Sequence, residues 1–492
     1  MKHTVTVLPE NRKLTADHGM SLYDLLILHG YYIPAACQGR GVCGKCKVTL
    51  ISGTPTGTSP DEDGMLLSCR AYVTEDLVIR YTAQNATQTV FKEGATVTAD
   101  IGAVLDIGTT TLAMRLYSLE NGNLLGESTA LNPQGVCGAD VLSRIDAWGQ
   151  GKGALLQELI LQKTKEMLRS LSQDFRVKEL TVAANPTMLH LFLGVDPTPI
   201  GTYPFTPAFL CTQRLDGKTL GLPADRVTLL PFTHAYIGSD VTAGILYCNL
   251  HRSTKNELFV DIGTNGELVL SKHGTLLSAS CAAGPALEGA CIECGTGGIP
   301  GAVSHVSFFG GELLLETVED HPPVGICGSG LIDLISVLVS EGLIDESGAW
   351  DTESESALAS RLHGDRLYLC EGIYLSQADI RQFQLAKSAI SAGIKALLHE
   401  ANLSPEALDT VYVAGGLGFY MNMQNAQAVG LLPRFPNAQL QTVGNTALLG
   451  GTMCLGNEEK LCELETLCKA VENVELSFSE TFREAYIEDM TF

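Results

Sequence analysis

Apolar and polar residues alternate from Thr4 to Leu8 and again from Lys13 to Ala16, the period-two pattern of half-buried strands. Ser21 and Asp24 then form an S-x-x-D start ahead of Leu25, Leu26 and Leu28, with Gly30 as the stop, which predicts a short helix. A cysteine-bearing loop follows. After it come a strand at Lys47 to Ile51, a Pro/Gly/Ser/Asp turn region from Ser52 to Gly64 and a strand at Leu77 to Tyr81. The order strand, strand, helix, loop, strand, strand predicts a small α/β unit and suits a β-grasp fold. From Thr82 to Ala99 the periodicity fades into Gln, Thr, Asn and Ala, which reads as a linker.

From Ile101 onward apolar strands ending in Asp-x-Gly or Gly-Gly turns alternate with helical patterns such as Ala154 to Leu171 and Ile380 to His399, the signature of layered α/β architecture. This body carries an internal echo: Val104-Leu105-Asp106-Ile107-Gly108-Thr109-Thr110 resembles Phe259-Val260-Asp261-Ile262-Gly263-Thr264-Asn265, an offset of 155 positions from 106 to 261. A repeat of domain length predicts two related halves facing each other across a cleft. The expected division is 1–83 for the first unit, 84–100 for the linker, 101–255 for the first half and 256–492 for the second.

Composition narrows the class. With 492 residues, 45% hydrophobic, 18% charged and 51 glycines, the chain is a multi-unit globular α/β protein. A net charge of -23 disfavours nucleic acid, anionic membranes and acidic partners. Residues 1–14 hold no secretory h-region, and stretches such as Leu331 to Val339 are too short to span a membrane, so the expectation is a cytoplasmic protein. In that setting the 15 cysteines read as metal ligands and buried thiols rather than disulfides.

Two sets of residues carry chemistry. Cys37, Cys43 and Cys46 are spaced C-x5-C-x2-C, with Cys69 well downstream. The glycines among them (Gly39, Gly41, Gly44) allow positive φ and expose amide N–H groups toward sulfur, which tunes a cluster's potential. Structural zinc is the alternative, but zinc ribbons usually present two C-x2-C knuckles and here there is one. The spacing resembles plant-type and adrenodoxin-type ferredoxins, differing from the plant C-x4-C by one residue, and implies a 2Fe-2S cluster on Cys37, Cys43, Cys46 and Cys69.

The second set is the pair of acidic turns. In Asp106-Ile107-Gly108-Thr109-Thr110-Thr111 a strand ends in a carboxylate and turns on glycine with hydroxyls at its tip. The glycine lets the backbone approach a phosphate, amides and hydroxyls donate to it, and the carboxylate holds Mg2+ or orients water. Asp261, Gly263, Thr264, Asn265 and Gly266 repeat the arrangement. Val411 to Gly418 runs a buried strand into Gly415 and Gly416, read as an adenosine rest. One such turn alone is an ordinary turn; two copies and the Ala-Gly-Gly turn in order resemble the phosphate and adenosine motifs of the acetate and sugar kinase, heat-shock chaperone and actin superfamily. That resemblance covers roughly Ile101 to Gly451 and implies RNase-H-like halves binding Mg-ATP, with Asp106 and Asp261 in the metal and water roles. Lys387 and Ser391, at i and i+4, resemble the base-contacting helix of the chaperone branch; a solvated face is the competing reading. Gly328 and Ser329 read either as nucleotide-lining or as a bare helix start.

The combination is rarer than either part. With Gly138-Ala139-Asp140-Val141-Leu142-Ser143-Arg144, Asn185-Pro186-Thr187-Met188, Gly238-Ser239-Asp240 and Ala283 to Gly289, nearly the whole chain resembles the reductive activators of corrinoid proteins. The resemblance implies ATP-dependent return of cob(II)alamin to cob(I)alamin by one electron, with a corrinoid protein as transient partner, an upstream low-potential electron donor and a homodimer left open. Some relatives carry an extra domain for which Thr82 to Asp100 is too short. The rival readings are a small-molecule kinase and an ATP-dependent chaperone or assembly factor, each with a regulatory cluster. Cys281, Cys291, Cys294 and Cys327 read as incidental thiols in glycine turns, Cys454, Cys462 and Cys468 as no second cluster, and His190 and His234 as core or turn residues.

Overall fold

Alternation in the first strand buries Val5 and Val7 fully while their neighbours face outward, and Leu14 and Ala16 do the same in its hairpin partner. The structure is a computed structural model and describes all residues except 1, 30, 32, 34–45, 62–63, 82–86, 98, 174 and 418–419. By contacts it divides into two compact units, residues 1–209 with 213–229 and residues 210–212 with 230–492.

In the first unit, Lys2–Leu8 pairs antiparallel with Arg12–Asp17 and parallel with Leu77–Arg80, which pairs with Lys47–Ser52, which in turn pairs with Met65–Leu67. The helix Leu22–Leu28 buries Leu22, Tyr23, Leu25 and Leu26 in the same core and is N-capped by Ser21, whose hydroxyl accepts from the Asp24 amide. A mixed five-stranded sheet with one helix is the expected β-grasp. The predicted stop at Gly30 lies outside the described residues; the helix ends at His29.

The rest of this unit is a seven-stranded sheet. Ile101–Ile107, Thr111–Ser118 and Leu124–Leu131 form an antiparallel meander, and Val177–Ala184 and Ala224–Leu229 continue it in parallel on the other side of Ile101–Ile107. The second unit repeats this plan: Asn256–Ile262, Gly266–Lys272 and Thr275–Cys281 meander, while Thr410–Ala414 and Gln439–Gly444 add in parallel beside Asn256–Ile262. Each sheet therefore reads three antiparallel strands and two parallel ones about a first strand that ends in the acidic turn. This is the duplicated RNase-H-like plan.

The expected linker contributes a strand: Gln88–Phe91 adds antiparallel to Leu124–Leu131 as the sheet's edge strand. Its sequence, Gln-Thr-Val-Phe, is short and mostly exposed, so burial leaves no periodicity to read. In the second unit the helices Ser239–Cys248 and Thr446–Cys454 cross closely. A Cβ on Gly450 would fall 2.1 Å from the Ala243 carbonyl oxygen, so only glycine fits there. No helix among the described residues is long and apolar enough to cross a membrane.

Candidate functional site

Of the four proposed cluster ligands, Cys37 and Cys43, with the glycines between Cys37 and Cys46, lie outside the described residues. Cys46 and Cys69 are described and converge: both are buried, with Sγ atoms 3.1 Å apart. A disulfide would need about 2.05 Å, whereas two ligands of one tetrahedral ion with bonds of about 2.3 Å stand roughly 3.7 Å apart. The two sulfurs are thus not disulfide-linked to each other, and their separation is close to the span of one shared iron. Local structure makes it so. Lys47 pairs with Leu67, which brings the residues flanking each cysteine together, and Ser68 seals the corner by donating both its amide (2.8 Å) and its hydroxyl (2.9 Å) to the Cys46 carbonyl. The donor set fits a cluster, and Cys46 and Cys69 would hold one of its irons.

The first acidic turn is built from behind. Asp106 ends the strand Ile101–Ile107, opposite Ala113 on one side and Ala183 on the other. The Gly108 amide donates to the Thr111 carbonyl at 3.0 Å, a closure so tight that a Cβ on Gly108 would meet that oxygen at 2.6 Å. The remaining carbonyls are taken by two buried side chains. Asn132 donates Nδ2 to Gly108 O and its amide to Thr110 O, both at 2.8 Å, and Arg144 donates Nη2 to Thr109 O. Because C=O and the next N–H point opposite ways across a planar peptide, turning these carbonyls inward turns the amides of Thr109, Thr110 and Thr111 outward. That is the edge an anion wants. Arg144 is 1% exposed and also donates to Gly138 O at 2.9 Å and meets Met188 Sδ at 3.0 Å, so it fastens the turn to the two flanking motifs.

In the second unit Asp261 ends its strand in the same register position, opposite Glu267 and Ala414. The Gly263 amide donates to Asn265 O at 2.9 Å, and the Thr264 hydroxyl donates to Glu288 Oε1 at 2.8 Å. Gly415 sits at φ +89°, and a Cβ there would meet Asp261 Oδ1 at 2.7 Å. Its glycine is required by the close approach to that carboxylate, while a Cβ on Gly416 would enter open space. The structure therefore brings together Asp261, Gly263, Thr264, Asn265, Gly415 and Gly416.

Carboxylates crowd this turn. Burial, and then the charges of Asp240 and Asp261, push Glu267 well above the carboxylate range, and burial pushes Asp240 up to about 6. Among the described residues no group of three or more acidic, histidine or cysteine side chains is placed to hold a metal ion alone. Mg2+ carried by nucleotide phosphates, with one or two carboxylates and water, fits that donor set.

Other predicted contacts are placed elsewhere. Gly266 is a packing position, where a Cβ would meet Cys281 Sγ at 2.8 Å. Ser329 donates to Ser304 O at 2.8 Å from a buried site, and a Cβ on Gly328 would meet the Leu287 carbonyl oxygen, so this helix start is shaped by packing. Ser391 is buried on the helix Gln377–Glu400. Lys387 is 1% exposed, donates to Thr491 O and lies 4.9 Å from the Phe492 ring centroid. Neither the base contact nor the solvated face describes it, because the segment after the helix Glu480–Glu488 covers its ammonium.

Burial holds Lys387 down at about 8 from the ordinary 10.5. Since its folded value lies below its unfolded one, the cost of burying the charge is fully present below about 8 and is relieved as pH rises toward 10.5. Lys387→Met is expected to raise thermal stability at pH 7 by about 1–2 kcal/mol, with the gap over wild type closing between those two pH values. Melting curves across pH check this; a pH-independent gap contradicts it.

Burial pushes the thiols of Cys281, Cys454 and Cys468 up to about 12, which keeps them protonated. His190 donates Nδ1–H to Pro186 O at 2.7 Å and accepts at Nε2 from the Ala208 amide at 3.0 Å, a satisfied core histidine. Sequence reasoning missed Asn132, Glu267 and Glu288 as site residues. The Asn-Pro dipeptide after a strand signals the first, and the cross-strand register needed for the second is not visible in one sequence.

A ferredoxin-type iron–sulfur domain joined to an ATPase of the actin, chaperone and sugar-kinase class is what the fold and these turns define. Comparison with known proteins gives three matches along the chain. Residues 5–74 match a 2Fe-2S iron-sulfur cluster binding domain, 101–253 the RACo middle region and 255–492 the C-terminal domain of RACo, the ASKHA domain. The corrinoid activation enzyme RamQ of Eubacterium limosum is 32% identical over 417 residues, covering 80% of this chain and 70% of that protein. The [Co(II) methylated amine-specific corrinoid protein] reductase of Methanosarcina barkeri is 24% identical over 428 residues, covering 80% and 77%. A solved structure titled reductive activator for corrinoid,iron-sulfur protein superimposes with a TM-score of 0.74 at 28% identity, covering 100% of this chain and 98% of that one. The chain belongs to the RACo family of reductive activators.

Proposed function

We propose that this chain is an ATP-dependent activator that delivers one electron to the cobalt of a corrinoid protein, taking Co(II) to Co(I). The observation that carries the reading is the Cys46–Cys69 thiol pair, held in a ferredoxin-type domain on the same chain as two acidic phosphate turns. Kinship with RamQ supports the choice of acceptor. A 2Fe-2S cluster supplies single electrons at about -400 mV in plant-type proteins. Each 59 mV or so by which the acceptor lies lower costs a factor of ten in the one-electron equilibrium.

The chain's own residues account for the rest. Cys46 and Cys69, with Cys37 and Cys43, would hold the iron; Asp106 and Asp261 would position Mg2+ and water; the outward amides of Thr109, Thr110 and Thr111 and the turn Gly263 to Asn265 would take phosphates; Gly415 and Gly416 would accommodate the adenosine. Nucleotide binding changes which state of the chain is favoured, and an acceptor bound differently in the two states is made easier to reduce. A low-potential donor restores the electron.

The test is spectroscopic. Anaerobically purified chain, reductant and a cob(II) corrinoid protein should develop the cob(I) absorption only when ATP is added; equal cob(I) with and without ATP refutes the proposal, and phosphoryl transfer to a small molecule would favour a kinase.

A further inference from the structure

The ferredoxin-type domain is tied to the first half-body at two described points. One is the edge strand Gln88–Phe91, where Thr89 Oγ1 also lies 2.7 Å from Ser170 Oγ. The other is a hydrogen bond from the helix Leu22–Leu28: Tyr23, 4% exposed, donates its hydroxyl to the Val136 carbonyl at 3.1 Å.

Val136 closes the short helical turn Pro133–Val136, and the residue capping that turn is Asn132, whose side chain accepts from the Gln134 amide at 3.0 Å. The other end of the same side chain donates to Gly108 O, and the Asn132 amide donates to Thr110 O. The carbonyl of Gly138, two residues past Val136, is held by Arg144, which also holds Thr109 O. The carbonyls of Gly108, Thr109 and Thr110 in the first phosphate turn are therefore each held by a residue bonded into the loop on which Tyr23 rests. In sequence, the helix of Tyr23 precedes the cysteine-bearing segment, and the Tyr31 amide bonds back to Leu26 O at 2.9 Å.

We propose that the Tyr23–Val136 hydrogen bond couples occupancy of the phosphate turn at Asp106–Thr111 to the iron–sulfur domain, which makes Tyr23 a positioning residue for nucleotide-gated electron transfer. The inference rests on the proposed function and adds its route. A phosphate that draws the amides of Thr109 to Thr111 outward pulls on Asn132 and Arg144, hence on the loop ending at Val136. The energetic coupling is reciprocal: whatever factor nucleotide applies to the cluster's redox equilibrium, the cluster's oxidation state applies to nucleotide affinity. A single neutral hydrogen bond limits that factor to roughly two- to tenfold.

The experiment measures the dissociation constant of a non-hydrolysable ATP analogue, by calorimetry under anaerobic conditions, for oxidised and dithionite-reduced full-length holoprotein. Wild type should show constants that differ by about two- to tenfold between the two states. In Tyr23→Phe, which keeps the ring and its packing, the two constants should coincide at unchanged iron content and melting temperature. Equal constants in wild type overturn the proposal without reference to any variant, as does a Tyr23→Phe protein that keeps the wild-type ratio. Absence of iron or of analogue binding would instead remove the proposed function itself, so the two failures are separable.

Discussion

Cys69→Ser is expected to yield a chain that still binds ATP but is colourless, with iron lost and ATP-dependent cob(I) formation reduced to the uncatalysed background. The reason lies in how little freedom the site has. Cys46 and Cys69 are 1% and 6% exposed, their sulfurs stand 3.1 Å apart, and Ser68 between the strand end and Cys69 uses both its donors on the Cys46 carbonyl. A serine oxygen is harder, held on a shorter bond and poorly ionised at neutral pH, so it neither reaches nor suits the iron that a thiolate binds. No neighbouring described cysteine can take its place, because the other described thiols belong to different strands and loops. Nucleotide binding survives, since Asp261, Thr264 and Gly415 are held by hydrogen bonds and sheet pairing in the second unit. Iron and sulfide counts, the visible spectrum and equilibrium binding of ATP measure the three consequences separately. A coloured Cys69→Ser protein with full iron would remove Cys69 from the ligand set.

Much of this was legible in one sequence because it depends on local chemistry. The ferredoxin-type strands announce themselves by alternation, and the acidic turns repeat the same Asp-Ile-Gly-Thr string at a domain-length offset. The long helices predicted at Ala154 to Leu171 and Ile380 to His399 are Gly153–Ser172 and Gln377–Glu400 in the structure. What sequence does not carry is register and coverage. Glu267 matters because it stands directly across the ladder from Asp261, a fact set by the hairpin's turn rather than by spacing to any motif. Lys387 has the right offset from Ser391 for a nucleotide-facing helix, yet residues 104 positions away lie over it. Gly415 was read as clearing room for a base. Its positive φ and its approach to Asp261 show that the first thing it clears is the carboxylate of its own site. The strand Gln88–Phe91 escaped for the opposite reason: an edge strand with no buried face has no pattern to betray it.

Asp261→Asn should lower ATP hydrolysis by about 10²–10³, abolish the ATP-dependent gain in cob(I) in proportion and leave the cluster's spectrum intact. It should also make the protein more stable. In the wild type, burial and the charges of Asp240 and Asp261 hold Glu267 well above the carboxylate range. A carboxyl whose folded value is raised binds its proton more tightly in the folded state, so its contribution is fully present below the ordinary carboxylate range and is lost as pH rises through the raised value. Neutral pH lies above the ordinary carboxylate range, so the crowding costs stability there. Removing the Asp261 charge lowers that cost, and the expected outcome is a higher melting temperature for Asp261→Asn near pH 7, with the gap over wild type shrinking as the pH falls toward the ordinary carboxylate range. Activity and stability then move in opposite directions from one atom's exchange, as expected where a site keeps like charges together for the sake of a cation and a reacting phosphate. A loss of hydrolysis accompanied by lower stability at neutral pH would mean that Asp261 serves the fold rather than the nucleotide.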